Sequence, residues 1–125
     1  MRFFLALASL LLLPACAAAQ VPLFVEETQG SGIDGIYAGD WQYMVGGGAA
    51  VFDCNGDGFE DVYLAGGESL ASFYLNRSSR GGSLRFEKHR SGLEIDAVTG
   101  AYPLDIDGDR MMDLVVLRVG ENLVM

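Results

Sequence analysis

The chain has few cysteines, few basic residues and a single histidine, and each scarcity excludes a class of protein. Its 125 residues include two cysteines, so a framework of several disulfides cannot form. Eight Lys and Arg residues stand against 17 Asp and Glu, for a net charge of -9. This acidity disfavours binding to nucleic acid or to anionic membranes. The only histidine, His89, lies in a strand-like segment, where we expect a surface position and not a catalytic one.

Long apolar runs are also scarce, and the only one lies at the N-terminus. Arg2 is followed by apolar residues from Phe3 to Leu13 and then by small residues, an organisation typical of a secretory signal cleaved after Ala19. The run is too short for a permanent membrane span, and no later stretch is long or apolar enough to form one. We therefore expect residues 1–19 to be a signal peptide, and the protein to be secreted, either extracellular or periplasmic.

Cys16 supports a second interpretation of the N-terminal segment. LPAC is similar to the site at which bacterial lipoproteins are cut and acylated on cysteine, although Pro14 fits that site poorly. Ordinary cleavage is therefore favoured, with anchoring through Cys16 as the alternative. Cleavage after Ala19 would leave Cys54 as the only cysteine, and no disulfide could then form within the chain.

Acidic residues are concentrated in two short segments with one pattern, DCNGDGFED at 53–61 (the first loop) and DIDGDRMMD at 105–113 (the second loop). Side-chain oxygens at positions 1, 3, 5 and 9, with a backbone carbonyl at position 7, can wrap a Ca²⁺ ion. Hard oxygen ligands argue against zinc and copper, and magnesium usually keeps more water. The predicted metal ligands are Asp53, Asn55, Asp57, the Phe59 carbonyl and Asp61 in the first loop, and Asp105, Asp107, Asp109, the Met111 carbonyl and Asp113 in the second.

Apolar runs on both sides of each loop predict strands, because they are short, rich in Val, Tyr and Leu, and bounded by Gly and Asp. A helical calcium hand would need helices there and a glutamate at position 12, where the chain has Leu64 and Val116. Each loop is therefore expected to join two strands. The predicted strands lie near Gly48–Phe52, Val62–Gly67, Phe73–Leu75, Leu84–Glu87, Ala101–Leu104 and Leu114–Leu117.

Repetition extends beyond the loops, since FVEETQGSGID at 24–34 and FEKHRSGLEID at 86–96 share Phe, Ile and Asp at the same offsets. A period of about 50 to 60 residues with about four short strands is typical of a propeller blade. We predict an all-β fold, a partial β-propeller of about one and a half to two four-stranded blades. Residues 20–125 would then be an incomplete, N-terminal set of repeats, with Phe24–Glu27 as the outer strand of a further blade.

The loop pattern D-x-[DN]-x-D-G-x-x-D between strands resembles the FG-GAP or VCBS repeat, known from the propeller of integrin α subunits. GGGAAVFDCNGDGFEDVYLAGG, FYLN and TGAYPLDIDGD are most similar to the secreted proteins related to cartilage acidic protein and bacterial UnbV. The resemblance implies a seven-bladed propeller that binds Ca²⁺ in hairpin loops, usually outside the cytoplasm. It implies no particular partner.

The second loop departs from this pattern at position 6, where Arg110 replaces the glycine found as Gly58 in the first loop. A left-handed conformation there costs a non-glycine residue roughly 1 to 2 kcal/mol, and the cation lies near the site. The second loop has four carboxylates, whereas the first has three and an amide, and the additional negative charge should strengthen metal binding at the second loop. Each loop alone could be a solvated acidic turn, but two copies in one strand context favour metal binding.

We expect a non-enzymatic, exported calcium-binding propeller whose loops contact a protein or glycan partner. Trp41 could form an aromatic platform for a sugar, although packing against a neighbouring blade is favoured. The alternative is the scaffold of a polysaccharide-cleaving enzyme whose catalytic residues lie outside this chain. No acid/base pair is identifiable once the clustered carboxylates are assigned to metal.

Overall fold

A computed structural model describes residues 21–120 and 123–124. The predicted signal peptide at residues 1–19 and the alternative anchor at Cys16 lie outside these residues. Within the described ranges, no helix is long and apolar enough to cross a membrane.

Two antiparallel sheets form most of the fold, and in each the strands are adjacent in chain order. The first sheet has four strands, β1 (Ala49–Phe52), β2 (Asp61–Leu64), β3 (Ser72–Asn76) and β4 (Phe86–His89). The second has three strands, β5 (Val98–Leu104), β6 (Asp113–Arg118) and β7 (Leu123–Val124). A short helix, α1 (Thr28–Ser31), and a 3₁₀ turn at Trp41–Tyr43 precede the sheets.

The prediction of strands around both loops is confirmed. Phe52 lies opposite Asp61 in the β1–β2 pair, and Leu104 lies opposite Asp113 in the β5–β6 pair. Each loop therefore closes a β-hairpin, which excludes the helical calcium hand. The predicted strand at 84–87 begins two residues later, as β4, and His89 is its exposed last residue, as expected.

The predicted strand at Phe24–Glu27 is wrong. Residues 21–27 form neither helix nor strand, Phe24 is 91% exposed, and α1 follows at once. The related sequence at residues 86–89 is a strand because it pairs with β3, with Phe86 opposite Asn76. Residues 24–27 pair with no strand of the described chain, and an extended segment without a ladder partner is not a stable strand.

The core lies between the two sheets, because alternate residues of each strand point to one face. Ala50 and Phe52 of β1 are buried while Ala49 and Val51 are exposed. The buried cluster consists of Ala50, Phe52, Tyr63, Ala65, Ala71 and Phe73 from the first unit and Val98, Ala101, Leu114 and Val116 from the second. Burial of these side chains on both sheets holds the two hairpins together.

The sheets also meet through their backbones beside β1 and β5. The N–H of Gly48 donates to the Thr99 carbonyl at 3.1 Å, and a Cβ added to Gly48 would lie 2.9 Å from the Cα of Gly100. The N–H of Gly67 donates to the Val98 carbonyl at 2.9 Å. No side chain could fit between the two units at Gly48, so the inner strands are in direct backbone contact.

The other face of the first sheet is covered by the segment that follows α1. The buried Tyr74 hydroxyl donates to Asp34 Oδ1 at 2.6 Å, and Lys88 Nζ donates to the same oxygen at 3.0 Å. These hydrogen bonds, that of Tyr74 first, lower the pKa of Asp34. The bond to Asp34 is the main cause that raises the pKa of Lys88. The chain before β1 is thus tied to β3 and β4.

Gly67 is the residue at which three segments meet, and we expect Gly67→Ala to destabilise the fold. Its φ is +65°, and an added Cβ would overlap the Ala38 carbonyl oxygen. Gly81 has a similar φ of +74° with nothing within 4 Å of an added Cβ, so Gly81→Ala tests the left-handed conformation alone. Urea unfolding should show a loss of about 1 kcal/mol for Gly81→Ala and at least about 2 kcal/mol more for Gly67→Ala. Equal losses would contradict this packing.

Candidate metal centres

The first loop is closed by hydrogen bonds to the carboxylate at its first position. Asp53 Oδ1 accepts the N–H of Gly56 at 2.8 Å, and Oδ2 accepts the N–H of Gly58 at 2.8 Å. These bonds, that from Gly58 first, hold the pKa of Asp53 below its usual value. The carboxylate is therefore ionised and fixed in position, as a metal ligand must be.

Positions 3 and 5 of the first loop lie side by side in the exposed turn. Asn55 Nδ2 donates to Asp57 Oδ2 at 2.9 Å, and Asn55 Oδ1 accepts the N–H of Asp57 at 2.9 Å. Asp57 Oδ1 accepts the N–H of Phe59 at 2.9 Å. Backbone amides thus orient the oxygens predicted to bind metal, while the amide of Asn55 occupies an oxygen that a cation could take.

The second loop repeats this hydrogen-bond pattern with carboxylates at all three positions. Asp105 accepts the N–H of Gly108 at 2.8 Å and that of Arg110 at 3.0 Å, and Asp109 accepts the N–H of Met111 at 2.7 Å. Asp105, Asp107 and Asp109 each offer a carboxylate oxygen, and these oxygens lie within 4.8 Å of one another. Oxygens bound to one Ca²⁺ at about 2.3 to 2.6 Å can be at most about 5 Å apart, so this spacing fits calcium.

The position-9 carboxylates have partners within the protein. Asp61 is fully buried; its Oδ1 accepts the N–H of Asn76 at 2.7 Å, and its Oδ2 accepts the N–H of Cys54 at 3.1 Å. Asp113 Oδ2 accepts the N–H of Ile106, the residue equivalent to Cys54, at 3.0 Å. Position 9 thus fastens the start of each loop. Ligand roles for Asp61 and Asp113, and for the Phe59 and Met111 carbonyls, stay predictions.

Residues 53–116 match the family model of the FG-GAP-like repeat. The chain belongs to this family. The match begins at the first ligand position of the first loop, ends in β6 and covers both hairpin tips. Searches of curated proteins and of solved structures found no match.

Membership of the FG-GAP-like family, together with the two antiparallel sheets, supports a β-propeller-type module. FG-GAP repeats often bind calcium, and the exposed aspartate cluster of the second loop could hold a metal ion. The number of blades and the finer resemblance to cartilage acidic protein and UnbV stay predictions.

One arginine lies at each FG-GAP loop. Arg110, at position 6 of the second loop, has φ +73°, so the left-handed conformation expected from the sequence is confirmed. Arg80 comes from the β3–β4 connection, and its Cζ lies 5.7 Å from the centroid of the Phe59 ring in the first loop. Sequence reasoning missed Arg80, because no spacing rule connects residues on two different hairpins.

Cys54 is a poor candidate for metal binding or catalysis, although it lies within the first loop. Cys54 is an exposed residue, but its thiol points toward Asp61 and is partly removed from water; this desolvation, followed by the hydrogen bond from the thiol to Asp61 Oδ2 at 2.8 Å, raises the pKa of Cys54 to about 12. A thiol that stays protonated at neutral pH is neither a good nucleophile nor a good ligand. The oxygen ligands of the repeat therefore remain the candidate site.

Asp61→Ala should destabilise the FG-GAP repeat even when no metal is present. It removes the acceptor for two backbone N–H groups and one thiol, and a buried donor left without a partner costs about 1 to 3 kcal/mol. We expect a loss of about 2 to 4 kcal/mol in urea unfolding with EDTA. Asp57→Ala, which removes an exposed carboxylate from the same loop, should cost less than about 1 kcal/mol. Similar losses would show that Asp61 does not have this structural role.

Strain and charge at Arg110 can be separated by two substitutions. Arg110→Gly relieves the left-handed conformation and should stabilise the protein by roughly 1 kcal/mol in EDTA, whereas Arg110→Gln should leave stability nearly unchanged. Both remove the cation, so both should raise calcium affinity at the second loop. Thermal unfolding and calorimetric titration measure the two effects. No stabilisation by Arg110→Gly would contradict strain at this position.

Proposed function

We propose that this chain is an exported, calcium-binding β-propeller module without catalytic activity, which binds a protein or glycan partner. The observation that carries the proposal is the convergence of three carboxylate oxygens, from Asp105, Asp107 and Asp109, at the hairpin tip of an FG-GAP-like repeat. Backbone N–H groups orient these carboxylates, and the same framework surrounds Asp53 in the first loop.

Calcium is the cation that best fits the two loops. Their candidate side-chain ligands are carboxylate and amide oxygens, which are hard ligands typical of Ca²⁺ and Mg²⁺. A site with several carboxylates and a backbone carbonyl suits the six to eight oxygens that Ca²⁺ takes, whereas Mg²⁺ usually keeps several waters. Calcium would offset repulsion among carboxylates that otherwise face one another at the hairpin tips.

A structural role for calcium is favoured over a catalytic one. The clustered carboxylates are assigned to metal, and the only histidine is an exposed strand residue whose ring edge contacts Phe73. At a free calcium concentration of about ten times the dissociation constant, each site would add roughly 1.4 kcal/mol to the free energy of unfolding. The ion would thereby hold the hairpin tips in the shape that a partner contacts.

Calorimetric titration tests the calcium sites. We expect two Ca²⁺ per chain, a higher thermal midpoint with calcium, and loss of that increase on chelation. Asp57→Ala and Asp109→Ala should each weaken one site at least tenfold, about 1.4 kcal/mol, because each removes a charged ligand. Glu60→Ala removes an exposed carboxylate of the first loop at a position without a ligand role.

Glu60→Ala is the matched control, and it should leave affinity within about twofold. Saturable binding that both aspartate variants leave unchanged would contradict the ligand assignment. The absence of calcium binding by the unsubstituted protein would contradict the proposed function itself.

A further inference from the structure

Most of the positive charge of this acidic protein is concentrated in one hairpin. Residues 77–90, which we name the cationic hairpin, connect β3 to β4 and include β4. They contain five of the eight Lys and Arg residues and one of the 17 acidic residues. The hairpin therefore carries a formal charge of +4, and the rest of the chain carries -13. Strand order places β4 at an edge of the first sheet.

Among the described residues, three basic side chains of the cationic hairpin have no ion-pair partner, and one of these, Arg80, lies over the Phe59 ring. Arg77 pairs with Glu87 at 2.9 Å and Lys88 pairs with Asp34 at 3.0 Å, both at exposed positions where such pairs contribute little. Arg85 and Arg90 have no carboxylate within ion-pair distance among the described residues. Their guanidinium groups are therefore free to bind an anion from solution.

A cleft of about 570 Å³ lies at the end of β4 and includes Lys88, His89 and Arg90 in its wall. Its one acidic lining residue, Glu94, accepts hydrogen bonds from the N–H groups of Ser91 and Gly92 at 2.9 and 3.1 Å. The Glu94 carboxylate is thus held by its own turn. Lys88, His89 and Arg90, three consecutive residues, thus supply the hydrogen-bond donors on this wall of the cleft.

We propose that the cationic hairpin binds a linear anionic polysaccharide that carries carboxylate or sulfate groups. Arg85 and Arg90 flank β4 at its two ends, about 16 Å apart at about 3.3 Å per residue. Their odd spacing directs the two side chains to opposite faces of the strand, so an anion reaches both only along the exposed edge of the sheet. Anionic groups spaced along a flexible chain can reach both guanidinium groups, which bind carboxylate and sulfate in a bidentate manner. The inference rests on the proposed function for its extracellular setting, but it does not depend on calcium.

The charge distribution disfavours broad anionic partners. Duplex DNA or an anionic membrane would bring a wide negative surface near the remaining -13 charges of the chain. Charges within a Debye length, about 8 Å at physiological salt, repel strongly. A thin polysaccharide can follow the sheet edge and meets few carboxylates there, Glu26 and Glu27 near Arg85 and Glu94 near Arg90.

Fluorescence anisotropy with a labelled heparin oligosaccharide as the sulfated probe and labelled polygalacturonate as the carboxylated probe tests this proposal. At least one should bind, with affinity that falls on raising NaCl from 50 to 200 mM. Arg90→Gln should weaken binding about fivefold, and Arg85→Gln/Arg90→Gln at least tenfold. Arg118→Gln, which removes the same charge outside both the hairpin and the calcium loops, should change affinity less than twofold.

Several outcomes would overturn the proposal. If neither polysaccharide binds, the proposal is wrong, and the basic residues would then serve to keep the edge strand β4 from pairing with a strand of another molecule. Equal or tighter binding of a short DNA duplex or of phosphatidylserine vesicles would assign the hairpin to another partner. Equal losses for Arg90→Gln and Arg118→Gln would indicate a nonspecific charge effect.

Two controls separate polysaccharide binding from effects of the substitutions on folding and from effects of calcium. Each variant is compared by circular dichroism and thermal midpoint with the unsubstituted protein. All measurements are repeated in excess calcium and in EDTA at a temperature where the protein stays folded in both. Polysaccharide binding that persists in EDTA supports the hairpin even if calcium titration fails, whereas calcium binding without polysaccharide binding contradicts only this inference.

Discussion

The structure depends on one buried carboxylate. Asp61 is fully buried and accepts hydrogen bonds from Asn76 in β3 and from the first-loop residue Cys54. Through these contacts the strand that follows the loop is fastened both to the loop and to the next strand of the sheet. Asp113 makes the equivalent contact to Ile106 in the second hairpin. A single side-chain type at position 9 thus determines where each loop begins and ends.

Exposed acidic residues in both loops are held in place by backbone amides. Asp53 and Asp105 each receive N–H groups from the glycine at position 4 and from position 6. This framework orients neighbouring carboxylates before any ion is present, so binding would require little further ordering. Electrostatic repulsion at the tips is the opposing term, and a divalent cation is the group best suited to balance it.

The sequence predicted the strands around each loop, because alternation of apolar residues and the Asp-Gly turns are local signals. It failed at Phe24–Glu27, because a repeated sequence forms a repeated strand only where a neighbouring strand can pair with it. Position 9 was predicted only as a ligand, since its contact with Asn76 joins residues 15 apart. The contact between Arg80 and Phe59 could not be predicted from the sequence either, because the two residues lie on different hairpins.

The contact between Gly48 and Gly100 joins equivalent positions of two successive repeats, since each lies five residues before its loop. The same position of the repeat therefore contributes to the contact from both units. The hydrogen bond from Gly67 to Val98 joins non-equivalent positions, as a head-to-tail contact does, and contacts of that kind can be repeated from one unit to the next without any new type of interface. At Gly48 and Gly100 the backbones themselves set how closely the inner strands approach, whereas buried side chains such as Phe52 and Leu114 set the packing of the rest of the two sheets.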